Sequence, residues 1–184
     1  MTLPTDVDVD GDGTRYGRSG LAIAGIALVV LAVLLRLTQL TTQSLWYDEG
    51  YSLFFSSAPD GVAGFLTRLF SIGGSEKFQP LYNLVLEGWR AVAGSSETSL
   101  RLLSVVVGSA AVVVIGLIAR RWYGPRHALW TVALAAVSGI GVLYSQEVRP
   151  YALILLLGSL QVAAFLAIAA PDEPPTRWRL AAFW

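Results

Sequence analysis

Four apolar runs separated by short polar turns set the frame of the chain. Leu21 to Leu35 is unbroken and reaches about Leu40 if Arg36 is admitted near its far end; Leu100 to Ala119, Ala128 to Tyr144 and Pro150 to Ala170 follow. A bilayer core of about 30 Å needs roughly 20 apolar residues per helix, so each run predicts a membrane span, with Arg36 snorkelling outward. Residues 1–20 are polar and glycine-rich and read as a disordered cytoplasmic tail. Residues 41–98 predict an external loop with two amphipathic stretches, Gly61 to Ile72 and Pro80 to Ala93, broken by Gly73-Gly74 and by Gly94-Ser95-Ser96. In the second, Leu81, Leu84, Val85, Leu86 and Trp89 fall mostly on one side and Asn83, Glu87 and Arg90 elsewhere, the pattern of a helix lying along the interface. Such helices would roof the membrane rather than span it.

Ser95 or Ser96 is a candidate cap for the second span, and Arg120-Arg121-Trp122-Tyr123-Gly124-Pro125 ends it. After the fourth run come Pro171-Asp172-Glu173-Pro174-Pro175, Arg177 and Arg179, then an apolar stretch from Leu180 to Trp184. Residues 171–184 thus read as a cytoplasmic loop and the opening of a further helix, which makes the chain the front of a larger protein or a truncated, inactive reading frame. The fold class expected is an all-α polytopic membrane protein with its transmembrane region over 21–170.

Composition agrees: 54% of the 184 residues are hydrophobic, 14% are charged, and mean hydropathy is +0.59, too apolar for a soluble domain of this length. The net charge is zero and there are no basic runs, so no nucleic-acid partner is expected. The absence of cysteine excludes disulfides and thiolate metal sites, and the single histidine, His127, excludes a multi-histidine centre and reads as interfacial. Asp6-Val7-Asp8-Val9-Asp10-Gly11 imitates the start of a calcium loop, but Gly17 stands where its bidentate Glu belongs. Arg15 and Arg18 precede an apolar stretch as in a signal peptide, yet Thr38 to Ser44 offers no small-x-small cleavage site.

Charge orients the chain. Arg15 and Arg18, then Arg120, Arg121 and Arg126, then Arg177 and Arg179 fall on one side, and the turn opposite holds only Arg149. The positive-inside rule makes the N-terminus cytoplasmic and turns two polar, aromatic-rich stretches outward together. One is Leu45-Trp46-Tyr47-Asp48-Glu49-Gly50-Tyr51 and the other is Tyr144 to Pro150. Adjacent carboxylates at the mouth of a membrane helix are costly near hydrocarbon, which marks Asp48 and Glu49 as candidate catalytic residues. On a regular helix they diverge by about 100°, so one carries chemistry and the other structure. Arg149, just before Pro150 at the start of the fourth span, is the candidate phosphate site, where a guanidinium and a helix N-terminus converge. Glu147 orients Arg149, pairs with it, or binds a divalent metal; these alternatives stay open.

The ordered set Gln43-Ser44-Leu45-Trp46-Tyr47-Asp48-Glu49-Gly50-Tyr51-Ser52, Gln79-Pro80-Leu81-Tyr82, Ser99-Leu100-Arg101-Leu102 and Tyr144-Ser145-Gln146-Glu147-Val148-Arg149-Pro150-Tyr151-Ala152-Leu153 resembles the N-terminal portion of the GT-C superfamily. Within it, the chain is most similar to the family 39 group of protein-mannosyltransferase-like enzymes, which includes lipid A aminoarabinose transferases. The resemblance implies transfer of a mannose-like sugar from a polyprenyl-phosphate donor, with inversion, to a protein, lipid or glycan acceptor outside the cell membrane. It gives the acidic residue of the first external loop, Asp48 with Glu49 beside it, the role of base or of orienting the acceptor; the candidate substrate contacts are Arg149, Glu147, Gln146, Tyr144, Tyr151 and Gln79, with Tyr82 and Lys77 weaker candidates. Many relatives carry histidine where this chain has Gln79, which puts any histidine-dependent role there in doubt. The competing readings are interfacial acids capping a juxtamembrane helix, a structural Glu147–Arg149 pair and an ordinary aromatic belt. Together they describe a non-catalytic transporter piece or assembly scaffold.

Overall fold

The computed structural model describes residues 13–38, 40, 44–57, 61–71 and 79–169. Among them the elements are all helical: α1 (Gly13–Leu37), α2 (Tyr47–Ser56), α3 (Gly61–Ser71), α4 (Pro80–Ala93), α5 (Glu97–Tyr123), α6 (Pro125–Val137), α7 (Gly139–Leu143) and α8 (Tyr151–Ala169). Three stretches, Ser19–Leu37, Glu97–Tyr123 and Tyr151–Ala169, are long and apolar enough to cross a membrane. The chain is therefore an all-α membrane protein. The calcium-loop imitation, Gly73-Gly74, Lys77 and the apolar end from Leu180 lie outside the described residues.

The bundle is built around α5, which packs on α1, α4, α6 and α8. Its seam with α1 and α6 is lined with small and β-branched side chains, Ala32, Val112, Val132 and Ala136, flanked by Leu28 and Val29. Lipid competes for apolar surface as well as protein does, so small residues that let backbones approach closely are what hold such helices together. Gly116 shows the tolerance: a Cβ there would clash with Val132 Cγ2. The upper seam is larger-grained, with Tyr82, Leu86, Leu100, Leu103 and Val148 buried together against Leu45, Leu53, Trp89 and Leu153. Trp89 Nε1 donates to the Ser99 carbonyl at 2.7 Å, and Ser99 Oγ to the Ala93 carbonyl at 2.8 Å, pinning α4 to the head of α5. Ser96 caps α5 by accepting from Ser99 N, and Gly94 and Gly124 turn the chain at φ +83° and +89°.

Four expectations are corrected. The helix of the first span begins at Gly13, inside the stretch read as a disordered tail; once the apolar run has nucleated a helix, extension costs little. The span expected over Ala128 to Tyr144 is not one helix but α6 and α7 in series, broken at Ser138 with ψ 113°. Arg36 does not snorkel: it is 1% exposed and points into the bundle. On α4 the inward face is Tyr82, Asn83 and Leu86, and Leu81 and Leu84 face outward at 52% and 54% exposure. The outward side of a helix resting against a bilayer meets lipid, so apolarity does not tell its two faces apart.

Gly116→Val should overpack the α5–α6 seam and lower stability by about 1–3 kcal/mol. Thermal unfolding in detergent checks this, and adding Val132→Ala, which removes the opposing methyls, should recover most of the loss.

Candidate functional site

The expected outer site forms where α2, the head of α5 and the 144–150 turn meet. The acidic pair opens α2, where the unpaired N–H groups and the helix dipole favour negative charge. The two carboxylates then part company. Glu49 is 1% exposed and Asp48 is exposed.

Glu49 is saturated. Its Oε2 accepts from Trp46 N at 2.9 Å and from Arg101 Nη2 at 3.0 Å; its Oε1 accepts from Val148 N at 2.8 Å and from Arg101 Nε at 3.4 Å. Arg101 is buried as well and also donates to the carbonyls of Leu40, at 2.8 Å, and Ser44, at 3.3 Å. One carboxylate thus joins the start of α2, the first turn of α5 and the middle of the 144–150 turn. A carboxylate with every approach taken by a donor is suited to holding these elements in register.

Asp48 is exposed, and among the described residues no hydrogen bond reaches its carboxylate. Its backbone carbonyl accepts from Arg149 Nη1 at 3.2 Å, and the same Nη1 donates to Ser52 Oγ at 3.3 Å. The structure therefore brings together the two polar, aromatic-rich stretches that the sequence singles out. Arg149 also lies 5.8 Å from the centre of the Tyr151 ring, which packs on Tyr144 with centroids 4.4 Å apart. Below it opens a small cleft with mostly apolar walls, lined by Tyr82, Val85, Leu103, Ser104, Val107, Ala152 and Leu153, with Arg149 as its charged member.

The other expected residues divide. Tyr82 joins the cleft. Gln79 starts α4, its carbonyl accepting from Asn83 N at 3.1 Å, and its Oε1 is buried with no hydrogen-bond partner among the described residues. Gln146 turns inward, its Nε2 donating to the Thr38 carbonyl at 2.6 Å and to those of Leu35 and Arg36, so it closes the C-terminal end of α1. Glu147 is pinned through its carbonyl by Ser104 Oγ at 2.6 Å. Its side-chain acid is pushed above the ordinary glutamate range, first by desolvation and then by the nearby Glu49 charge, with Arg149 opposing. Among the described residues no group of three or more His, Cys, Asp or Glu side chains is gathered to hold a metal. Among the described residues Glu147 is therefore not part of such a group.

Sequence reasoning missed Arg101, Ser52 and Arg36. Arg101 lay in a quoted motif with no role attached, and its signal was a charge one turn into an apolar helix.

The family model described as dolichyl-phosphate-mannose-protein mannosyltransferase matches residues 77–184, more than half of the chain. That match includes Arg101, the 144–150 turn and the cleft but begins after the Asp48 segment. No curated protein and no solved structure matches.

Two outcomes follow from this geometry. Arg101→Met strands the Glu49 charge in the seam and should cost about 3–5 kcal/mol in thermal unfolding, whereas the surface pair Glu87–Arg90, 2.9 Å apart, should cost under about 1 kcal/mol when broken. Because the raised Glu147 acid keeps its proton in the folded state where the unfolded chain has lost it, stability should fall as pH rises from about 4.3 through the raised value. Glu147→Gln should flatten that slope, read as melting temperature against pH.

Proposed function

The chain belongs to the dolichyl-phosphate-mannose-protein mannosyltransferase family of membrane glycosyltransferases, and from that premise we propose that it moves a sugar from a polyprenyl-phosphate donor to an acceptor hydroxyl on the extracytoplasmic face. In this reading Asp48 is the base, Arg149 holds the donor phosphate, the N-terminus is cytoplasmic, and residues 21–170 form the catalytic transmembrane unit.

One observation carries the reading: the Arg149 guanidinium donates to the backbone carbonyl of Asp48 at 3.2 Å. A cation and an unengaged carboxylate are then neighbours at one mouth. An acceptor hydroxyl is a poor nucleophile, and a carboxylate that takes its proton as the C–O bond forms contributes on the order of 10²–10⁴-fold. The hydroxyl oxygen attacks the anomeric carbon from the face opposite the phosphate, the bond to the phosphate oxygen breaks with its electron pair, and the configuration inverts. Charge that builds on the departing phosphate is met by Arg149 and by the first turn of α8, which begins at Tyr151 with the Pro150 carbonyl accepting from Ile154 N at 2.8 Å. Arg149 also shares a small, mostly apolar cleft with Leu103, Val107 and Leu153, so in this reading the cation sits beside apolar side chains. Glu49, with its oxygens all engaged, serves in this reading as the support that fixes Asp48, and Gln146 as a support for the turn.

The test is sugar transfer from a polyprenyl-phosphate donor in proteoliposomes. Asp48→Asn should lower turnover about 10²–10⁴-fold with the melting temperature unchanged. Arg149→Ala should chiefly raise the donor KM. Full-rate transfer by Asp48→Asn, or loss of folding with no change per folded molecule, would favour the scaffold reading instead.

A further inference from the structure

We propose that Arg36, a charge inside the first span, is a positioning residue that locks the 144–150 turn and thereby sets Arg149 in place. The inference rests on the reaction proposed above for Arg149, but its structural half stands independently.

The argument begins at the break in the third span. In a continuous helix the carbonyls of Ala135 and Ala136 would accept from the N–H groups of residues 139 and 140, and the extended backbone of Ser138 removes both partners. At membrane depth there is no water to replace them, and each stranded carbonyl is costly. Arg36 supplies the missing donors. Its Nη2 donates to Ala135 O at 3.2 Å and its Nη1 to Ala136 O at 3.3 Å and to Ala32 O at 3.0 Å. The last donor, Nε, reaches Ser145 Oγ at 3.2 Å, and that hydroxyl in turn donates to Gly141 O at 2.6 Å.

Ser145 is the first buried residue of the turn. It fits only because α5 presents Gly108, where an added Cβ would clash with Ser145 Oγ. From Ser145 the turn is tied at each following position: Gln146 to the end of α1, the Glu147 carbonyl to Ser104, and Val148 N to Glu49. Arg149 comes next. The guanidinium of Arg36 is the only one of these ties that also joins α1 to the α6–α7 break, so it fixes the near end of the turn as Glu49 fixes the far end. A planar fork can satisfy carbonyls and a hydroxyl in several directions together, which a lysine cannot.

The experiment compares Arg36→Lys and Ser145→Ala in the full chain in lipid nanodiscs, with melting temperature, amide hydrogen exchange and donor and acceptor KM as readouts. The expected result is exchange about tenfold faster across 144–150, unchanged exchange in α4, and a donor KM raised about tenfold with the acceptor KM unmoved. A purely structural arginine would reduce the folded fraction and leave both KM values alone. Should Arg36→Lys fail to fold, Ser145→Ala carries the same readouts with the charge intact. Unchanged exchange over 144–150, or faster exchange with an unchanged donor KM, overturns the proposal. If the unaltered protein transfers no sugar, the functional reading falls, and exchange over 144–150 still decides whether Arg36 is the lock.

Discussion

The structure depends on one carboxylate in a dry seam. Glu49 is fully enclosed between α2, α5 and the 144–150 turn, and its oxygens accept from two backbone N–H groups and from Arg101. Desolvating both members of such a pair is expensive, and burial of apolar surface of the same shape would often stabilise as well. What the pair adds is register. Leu40, Ser44 and Trp46 lie on one stretch and Val148 about a hundred residues further on, and each presents a polar backbone atom that would be stranded if its segment slipped, so only one mutual arrangement satisfies all of them.

The same constraint, a backbone without water, explains the second buried charge. The break at Ser138 frees two carbonyls, and Arg36 answers them from the neighbouring helix. Each element is then the other's reason: the arginine could not be tolerated inside a seam of continuous helices, and the discontinuity could not be tolerated without a donor. Arg36 is occupied largely with backbone carbonyls, which lets a cation sit in an apolar bundle without a carboxylate, whereas Arg101 divides its donors between Glu49 and carbonyls.

How far the sequence foretold this varies with the kind of signal. Apolar runs over Leu21 to Leu35, Leu100 to Ala119 and Pro150 to Ala170 were read directly, because one helix crossing hydrocarbon needs only length and hydropathy. The run from Ala128 to Tyr144 passed the same test and failed, since hydropathy averages over a break that Ser138-Gly139-Ile140-Gly141 marks only locally. Arg36 was read as snorkelling because a lone arginine near a span's end usually does so, and its partners lie about a hundred residues away. Leu81 and Leu84 group with Leu86 and Trp89 by pattern alone, a grouping that separates core from surface when the alternative to core is water and not when it is lipid. For the outer site, the stretches to watch were legible. The division of labour within them was not, because whether Gln146 or Glu147 faces inward is set by partners such as Thr38 and Ser104.

That division follows from helix geometry applied to the acidic pair. Neighbours on a helix point about 100° apart, so if Glu49 is to reach Arg101 and Val148, Asp48 must point elsewhere, and it is exposed. The buried acid therefore aims the exposed one. It also lowers the cost of keeping an arginine at the mouth, because the backbone of α2, held by Glu49, offers the Asp48 carbonyl and Ser52 Oγ to Arg149. The rigidity that the proposed phosphate site would need is thus supplied by the buried carboxylate, and the exposed one is left without a hydrogen bond among the described residues.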